Sequence, residues 1–205
     1  MSRLDAPTHG ARRPLTDAGG AGGVNTSLRH VMVVAGTLAE WSGLSAERWD
    51  DRVEGLGGVC ASIGVPWLTI RAYERGAEPT SVDDLVQWRR QVGSCEVIVD
   101  PCGDGRERFA DAMGRLAPED EVNEATVSAA LYEPADSEPD LVMILGPSTR
   151  LPPSLVWELA YAELVYVDAS WDDLAVDHLS AAISDFSHRR RRFGGLDDAF
   201  DDSDV

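Results

Sequence analysis

Apolar residues return along this chain in two rhythms: short unbroken runs, and longer stretches in which they recur every three or four positions. Val31-Met32-Val33-Val34-Ala35, closed by Gly36, is the first unbroken run, as expected for a strand buried on both faces of a parallel sheet. Residues 45–63 predict a helix, with Trp49, Val53, Leu56 and Cys60 on one face and Gly64 and Pro66 stopping it. Gly55, Gly57 and Gly58 weaken that helix unless they serve close packing. Residues 67–73 predict a second strand. Ser81-Val82-Asp83-Asp84 resembles a capping box and predicts a helix carrying Leu85, Trp88 and Val92, followed by a third strand over 95–99.

Further along, the spacing predicts helices over 106–116 and 122–131, a buried strand over 141–145 and another over 162–167. A closing helix over 177–192 places Leu179, Ile183 and Phe186 on one face. It puts Arg189, Arg190, Arg191 and Arg192 in its final turn, where cations complement the negative end of the helix dipole. Strands alternating with helices predict an α/β fold with a mainly parallel central sheet flanked by helices. Residues 1–27 are rich in Gly and Ala without apolar periodicity and are expected to be a disordered tail. Residues 196–205 carry Asp197, Asp198, Asp201, Asp202 and Asp204 and are expected to stay solvated, which leaves one domain over 28–195.

Composition narrows the function classes. At 205 residues and 43% hydrophobic content, the chain suits one α/β domain with a real core. Acidic residues outnumber basic ones by 36 to 18, a formal charge of -18, so the surface repels phosphate backbones and anionic headgroups. No nucleic-acid partner is expected. Every basic residue is arginine, which points to a GC-rich coding sequence and a bacterial source. Cys60, Cys95 and Cys102 fall in no metal-ligand spacing, and no apolar leader or membrane-length run is present near the start. A cytoplasmic protein with reduced thiols is expected, peripheral to a membrane only through a partner or product.

Three stretches resemble the cis-prenyltransferase (undecaprenyl diphosphate synthase-like) family. The strongest runs Leu155-Val156-Trp157-Glu158-Leu159-Ala160-Tyr161-Ala162-Glu163-Leu164, then Asp168, Trp171 and Arg191-Arg192-Phe193-Gly194-Gly195. The family reads an aliphatic pair, Trp-Gln, Ala-Glu-Leu, Trp-Pro-Asp and Arg-Arg-Phe-Gly-Gly there. The second is Asp140-Leu141-Val142 leading to Gly146, and the third is Arg29-His30-Val31 leading to Trp41. The resemblance implies the family's fold. It also implies a diphosphate-binding loop after the first strand, in which small residues let backbone N–H groups approach phosphate oxygens and a carboxylate manages Mg²⁺.

That loop is degenerate here. The family's carboxylate falls on Gly36, and its Gly-Asn-Gly-Arg falls on Thr37, Leu38, Ala39 and Glu40, where Glu40 would repel a diphosphate. Of two arginines expected to grip the diphosphate of the incoming five-carbon unit, one position holds Ile144 and the other Arg150, which reads equally as a relic anion binder or a surface arginine. The stretch between Tyr73 and Asp140 is short for the helices that wall a hydrophobic product tunnel. These departures resemble the Nogo-B receptor type of accessory subunit, which pairs with a catalytic chain and lends a C-terminal Arg-x-Gly motif to its active site.

The resemblance thus implies a catalytically inactive subunit of a heteromeric enzyme that makes polyprenyl diphosphate from isopentenyl diphosphate. Arg192, Phe193, Gly194 and Gly195 would bind diphosphate in trans, isopentenyl diphosphate would be shared at the interface, and Mg²⁺ would sit in the partner's active site rather than in this chain. Trp157, Tyr161 and Leu164 fit either core or the dimer interface. Glu163 matches the family's Mg²⁺-ligating glutamate, although an interface or structural hydrogen bond is the expected role. His30 is expected to be a satisfied strand-edge histidine. The alternative is a divergent homodimeric prenyl or terpenoid diphosphate enzyme of the same fold, which needs a replacement carboxylate, Glu40 or Asp100, beside Glu163.

Overall fold

All five residues of β1 (His30–Val34) are buried, and this strand lies in the middle of the sheet, as its unbroken apolar run predicts. The computed structural model describes residues 28–76, 86–117, 119 and 121–189. The expected tails at 1–27 and 196–205, the Ser81–Asp84 cap and the Arg192–Gly195 motif all lie outside the described residues. After β1 come α1 (Leu38–Ser42), α2 (Ala46–Ser62), β2 (Trp67–Arg71), β3 (Trp88–Val92), β4 (Cys95–Asp100), α3 (Gly105–Arg115), α4 (Glu124–Tyr132), β5 (Leu141–Leu145), β6 (Glu163–Val167) and α5 (Val176–His188). The sheet order is β3-β4-β2-β1-β5-β6, parallel except for β3.

The period of two along each strand divides the core. Val31 and Val33 face the layer built by α2 and α5, while Met32 and Val34 face the layer built by α3 and α4. Gly57 is what brings α2 down onto the sheet. A Cβ there would lie 2.8 Å from Val97 Cγ2 and 2.9 Å from Val92 Cβ. Gly57, and Gly55 where a Cβ would lie 2.9 Å from Val176 Cγ1, therefore trade helix propensity for close approach, whereas Gly58 faces open space.

Three expectations are corrected. Trp88 and Val92 lie on a strand, not a helix. Trp88, Arg90 and Val92 turn inward while Arg89 and Gln91 are exposed, and this period of two overrides the helical spacing. Val92 pairs with Cys95 across Gly93-Ser94, and Gly93 at φ +56° supplies the positive φ that a two-residue hairpin turn needs. Secondly, α5 ends at His188. Arg189 has extended backbone, ψ 123°, so it caps the helix rather than extending its last turn. Thirdly, residues 38–42 form a helix where only a degenerate loop was expected. Among the described residues no helix is long and apolar enough to cross a membrane.

Candidate functional site

In open α/β sheets ligands bind beyond the carboxyl ends of the strands, which makes the turn after β1 the first place to look. That turn is closed by the chain itself. Gly36 has φ +67°, and a Cβ on it would lie 2.8 Å from Trp171 Cγ, so both backbone and space demand glycine. Trp171 stacks on Trp41 at 5.6 Å and carries the Arg52 guanidinium 3.9 Å above its ring. Three N–H groups of the turn, those of Thr37, Leu38 and Glu40, are spoken for. Thr37 N–H donates to Glu40 Oε2 at 2.7 Å and its hydroxyl to the same oxygen at 3.0 Å, while Glu40 N–H donates back to Thr37 Oγ1 at 3.2 Å. Leu38 N–H donates to the Glu74 carbonyl at 3.1 Å.

This is a reciprocal capping box, and the carboxylate that the resemblance cast as a repellent group sits on the donors an incoming anion would use. The signal was legible, since Thr37-Leu38-Ala39-Glu40 has the capping-box spacing. Thr37→Ala removes the side-chain acceptor of the N-cap and is expected to cost about 1 kcal/mol, read as a lower urea midpoint at unchanged slope.

Arg150 comes to the same end of the sheet but is occupied. Its guanidinium bonds Glu74 Oε2 at 2.5 Å and lies 5.5 Å from the Tyr73 ring, while Tyr73 donates to the Arg150 carbonyl at 3.1 Å. Glu163 lies elsewhere. It pairs with Leu141 and so stands level with Val31, five residues short of Gly36 and two strands away, a separation of roughly 16 Å along the strands alone. Its carboxylate is bonded to Arg189 at 3.1 Å. Neither Glu40 nor Asp100 joins it, because Asp100 ends β4, on the far side of β2 and β1, and is bonded to Arg71. Among the described residues no group of three His, Cys, Asp or Glu could hold a metal ion, and the Glu163 carboxylate is taken by Arg189.

The expected interface residues divide. Trp157 packs against Phe109 at 6.0 Å and donates to Glu138 at 3.1 Å, and Leu164 packs against the core, so both serve the interior. Tyr161 is 64% exposed, and Leu151, Val156 and Leu159, in the same segment that precedes β6, are exposed as well.

The densest chemistry lies under the α3–α4 layer, where the sequence had offered only Asp100, as a replacement carboxylate. Arg71, at the end of β2 and only 2% exposed, donates from Nε to Asp100 at 2.9 Å and from Nη1 to Glu158 at 2.7 Å. Arg108, on α3 and buried, donates to the same Glu158 oxygen at 2.9 Å. Burial alone would push Glu158 up, but the Arg71 and Arg108 guanidiniums hold it down at about 2. Next to this group His30 Nδ1 meets the Ser137 carbonyl at 2.7 Å and Nε2 meets Thr69 Oγ1 at 2.8 Å. A carbonyl only accepts, so Nδ1 carries the proton and Nε2 accepts from Thr69. Burial pushes His30 down to about 4, confirming a satisfied, neutral histidine, at the first position of a central strand. The missed signals were Arg71 inside an otherwise apolar strand and Glu158 where the resembled pattern has glutamine.

Residues 82–194 match the prenyltransferase family model described as "Putative undecaprenyl diphosphate synthase". The chain is 30% identical over 134 residues to the isoprenyl transferase of Bacillus subtilis, covering 64% of this chain and 50% of that protein. It is 41% identical over 88 residues to the ditrans,polycis-undecaprenyl-diphosphate synthase ((2E,6E)-farnesyl-diphosphate specific) of Lactiplantibacillus plantarum, covering 42% of this chain and 34% of that one. The matched region thus spans half, or less, of the length of these relatives. Among solved structures, a probable undecaprenyl diphosphate synthase from Campylobacter jejuni superposes with TM-score 0.59 at 18% identity, covering 83% of this chain and 100% of that one. Lavandulyl diphosphate synthase from Lavandula x intermedia, in complex with dimethylallyl diphosphate, gives 0.57 at 16%, covering 82% and 99%. At these identities the likeness is one of fold.

Proposed function

The chain belongs to the undecaprenyl diphosphate synthase (cis-prenyltransferase) family, and from that premise we propose that it is the non-catalytic subunit of a two-chain prenyltransferase making polyprenyl diphosphate from isopentenyl diphosphate. The observation that carries this reading is the sealed turn after β1. Ionising an allylic diphosphate requires preorganised donors and cations on the departing group. Here the donors hold Glu40, Arg150 is bonded to Glu74, and Trp171 fills the space over Gly36. The catalytic chain then supplies the working diphosphate site and its Mg²⁺.

Two features support a contribution in trans. The Arg189–Glu163 ion pair holds the end of α5 against the first residue of β6, the edge strand. Leu151, Val156, Leu159 and Tyr161, in the segment that leads into β6, are large apolar side chains left exposed, as contacts for a partner chain would be. In this reading Arg192-Phe193-Gly194-Gly195 reaches the diphosphate of isopentenyl diphosphate across the interface, and any membrane contact comes through the partner or product.

The test is co-expression with a catalytic cis-prenyltransferase of the same genome, then size-exclusion chromatography and isopentenyl incorporation by each chain alone and together. A joint peak with activity far above that of either chain is expected. Robust turnover by this chain alone would overturn the reading in favour of a homodimeric enzyme. Within the complex, Arg192→Ala is expected to raise the KM for isopentenyl diphosphate while assembly persists. Loss of a charge-assisted hydrogen bond, about 1.5–3 kcal/mol, corresponds to roughly 10- to 150-fold.

A further inference from the structure

Cys60 and Cys95 play no part in the proposed function, yet the fold brings them together from different elements. Cys60 lies on α2 and Cys95 opens β4, and both are buried in the same core layer. Their meeting follows from how closely α2 rests on the β3–β4 hairpin. One turn before Cys60, a Cβ on Gly57 would lie 2.9 Å from Val92 Cβ and 2.8 Å from Val97 Cγ2. Val92 is the cross-strand partner of Cys95, and Val97 is its neighbour on the same face of β4. One residue after Cys60, Ala61 Cβ lies 3.1 Å from the place a Cβ on Gly93 would take, and the Ala61 carbonyl accepts from the Ser94 hydroxyl at 3.4 Å. With these contacts on both sides of it, Cys60 is set over Cys95, and the two thiols hydrogen-bond to each other. The Cβ atoms of a disulfide lie about 3.5–4.5 Å apart, so the approach at Ala61 and Gly93 is already as close as such a link needs.

We infer that Cys60 and Cys95 are a modification site, at which a peroxide-class oxidant forms an intrachain disulfide that clips α2 to the β3–β4 hairpin. The protonation of the pair sets the order of events. The Cys60 thiol donates to Cys95, which raises Cys60 and lowers Cys95, so Cys95 is the sulfur that attacks as thiolate. It takes one oxygen of the peroxide as the O–O bond breaks, giving a sulfenic acid and a hydroxide that a proton converts to water. Cys60 then attacks the Cys95 sulfur, the S–O bond breaks, and the departing hydroxide leaves with the Cys60 proton as a second water. Two thiols and one peroxide thus give one disulfide and two waters, the sulfurs losing the two electrons that the peroxide gains. Access comes from the end of the hairpin, since Gly93 and Ser94 beside Cys95, and Ser62 and Ile63 beyond Cys60, are exposed. The reaction therefore runs at the rate at which that end opens, slower than at a surface thiol. Cys102 is not a candidate partner, because it lies past the opposite end of β4 from Cys95, where its thiol donates to the Asp104 carbonyl at 3.2 Å.

The test treats the full-length protein with excess hydrogen peroxide well below its unfolding temperature, then denatures it, alkylates the free thiols and maps the peptides. A pair of peptides joined through Cys60 and Cys95 is expected, two hydrogens lighter than the reduced pair. Cys102→Ser removes the one thiol outside the pair, and this variant is expected to form the same link and to keep no free thiol. Because the link restricts the unfolded chain, the oxidised variant is expected to melt roughly 5 °C or more above its reduced form, and dithiothreitol to reverse the gain. The assignment is overturned by any of three results. Cys60 and Cys95 could both stay open to alkylation after prolonged treatment, either sulfur could retain oxygen in place of the link, or the melting midpoint could fall once the link has formed, which would mean that the fold must open to make it. None of these readouts involves prenyl transfer, so the outcome is separate from that of the subunit reading.

Discussion

Glu158→Ala is expected to destabilise the domain by about 3–5 kcal/mol, measured as a fall in the urea midpoint at pH 7 with little change of slope. One oxygen of this residue accepts from both Arg71 and Arg108, and its other oxygen accepts from Val156 N–H at 3.3 Å. Deleting the carboxylate leaves two buried guanidiniums with Asp100 as the remaining anion. The loss is a large share of the ~5–15 kcal/mol by which a domain of this size is stable. A shift under 1 kcal/mol would mean that solvent reaches the group and that its burial carries no structural consequence.

The same physics predicts a rescue. A buried ion pair roughly balances its own desolvation, so what is costly is an unpaired remnant rather than the absence of the cluster. Arg71→Met, Arg108→Leu and Glu158→Leu combined with Asp100→Asn should therefore recover most of the loss. What this variant sacrifices is specificity. The cluster ties together β2, β4, α3 and the segment that precedes β6, and a small polar cavity lies beside it.

Much of the architecture was legible because parallel strands buried on both faces must be apolar throughout. Val31 to Ala35 and Leu141 to Leu145 could hardly be anything else, and the Ser45 cap and Gly64 stop bracket α2. The edge strand β3 was not legible by that rule. It is half-exposed, its arginines mask the alternation, and Trp88 and Val92 sit four apart as on a helix. Only the Gly93-Ser94 turn distinguishes the two. At the site, the loss of phosphate-binding residues was visible position by position, but what replaced them was not. Glu40 read as a repelling charge when considered alone and becomes a cap once Thr37 is placed beside it. Arg71, Arg108 and Glu158 are 37 and 50 residues apart in sequence, so no local pattern could join them; the sheet register and the position of α3 do.

Acid is expected to weaken the fold through His30 before most carboxylates titrate. The native imidazole is held at about 4 by burial, against 6.5 for a free side chain. Between these values the unfolded chain binds a proton that the native chain refuses, so stability is complete above pH 6.5 and falls as pH drops toward 4. At 1.36 kcal/mol per pH unit the full loss is about 3 kcal/mol, of which about 2 kcal/mol falls between pH 6.5 and 5. Measurements should stop near pH 5, because the sequence pI is about 4.4 and the neutralised protein will precipitate. His30→Asn isolates the effect. Its amide can still donate to the Ser137 carbonyl, but Thr69 loses its acceptor, so the variant is less stable than the parent at pH 7. Since asparagine has no proton to gain, the gap between the two should narrow by about 2 kcal/mol on going to pH 5, with all other titrations cancelling in the difference. A gap that stays constant with pH would mean that native His30 titrates like the unfolded side chain, and a gap that widens in acid would place the proton on native His30; either would sink the neutral Ser137–His30–Thr69 relay.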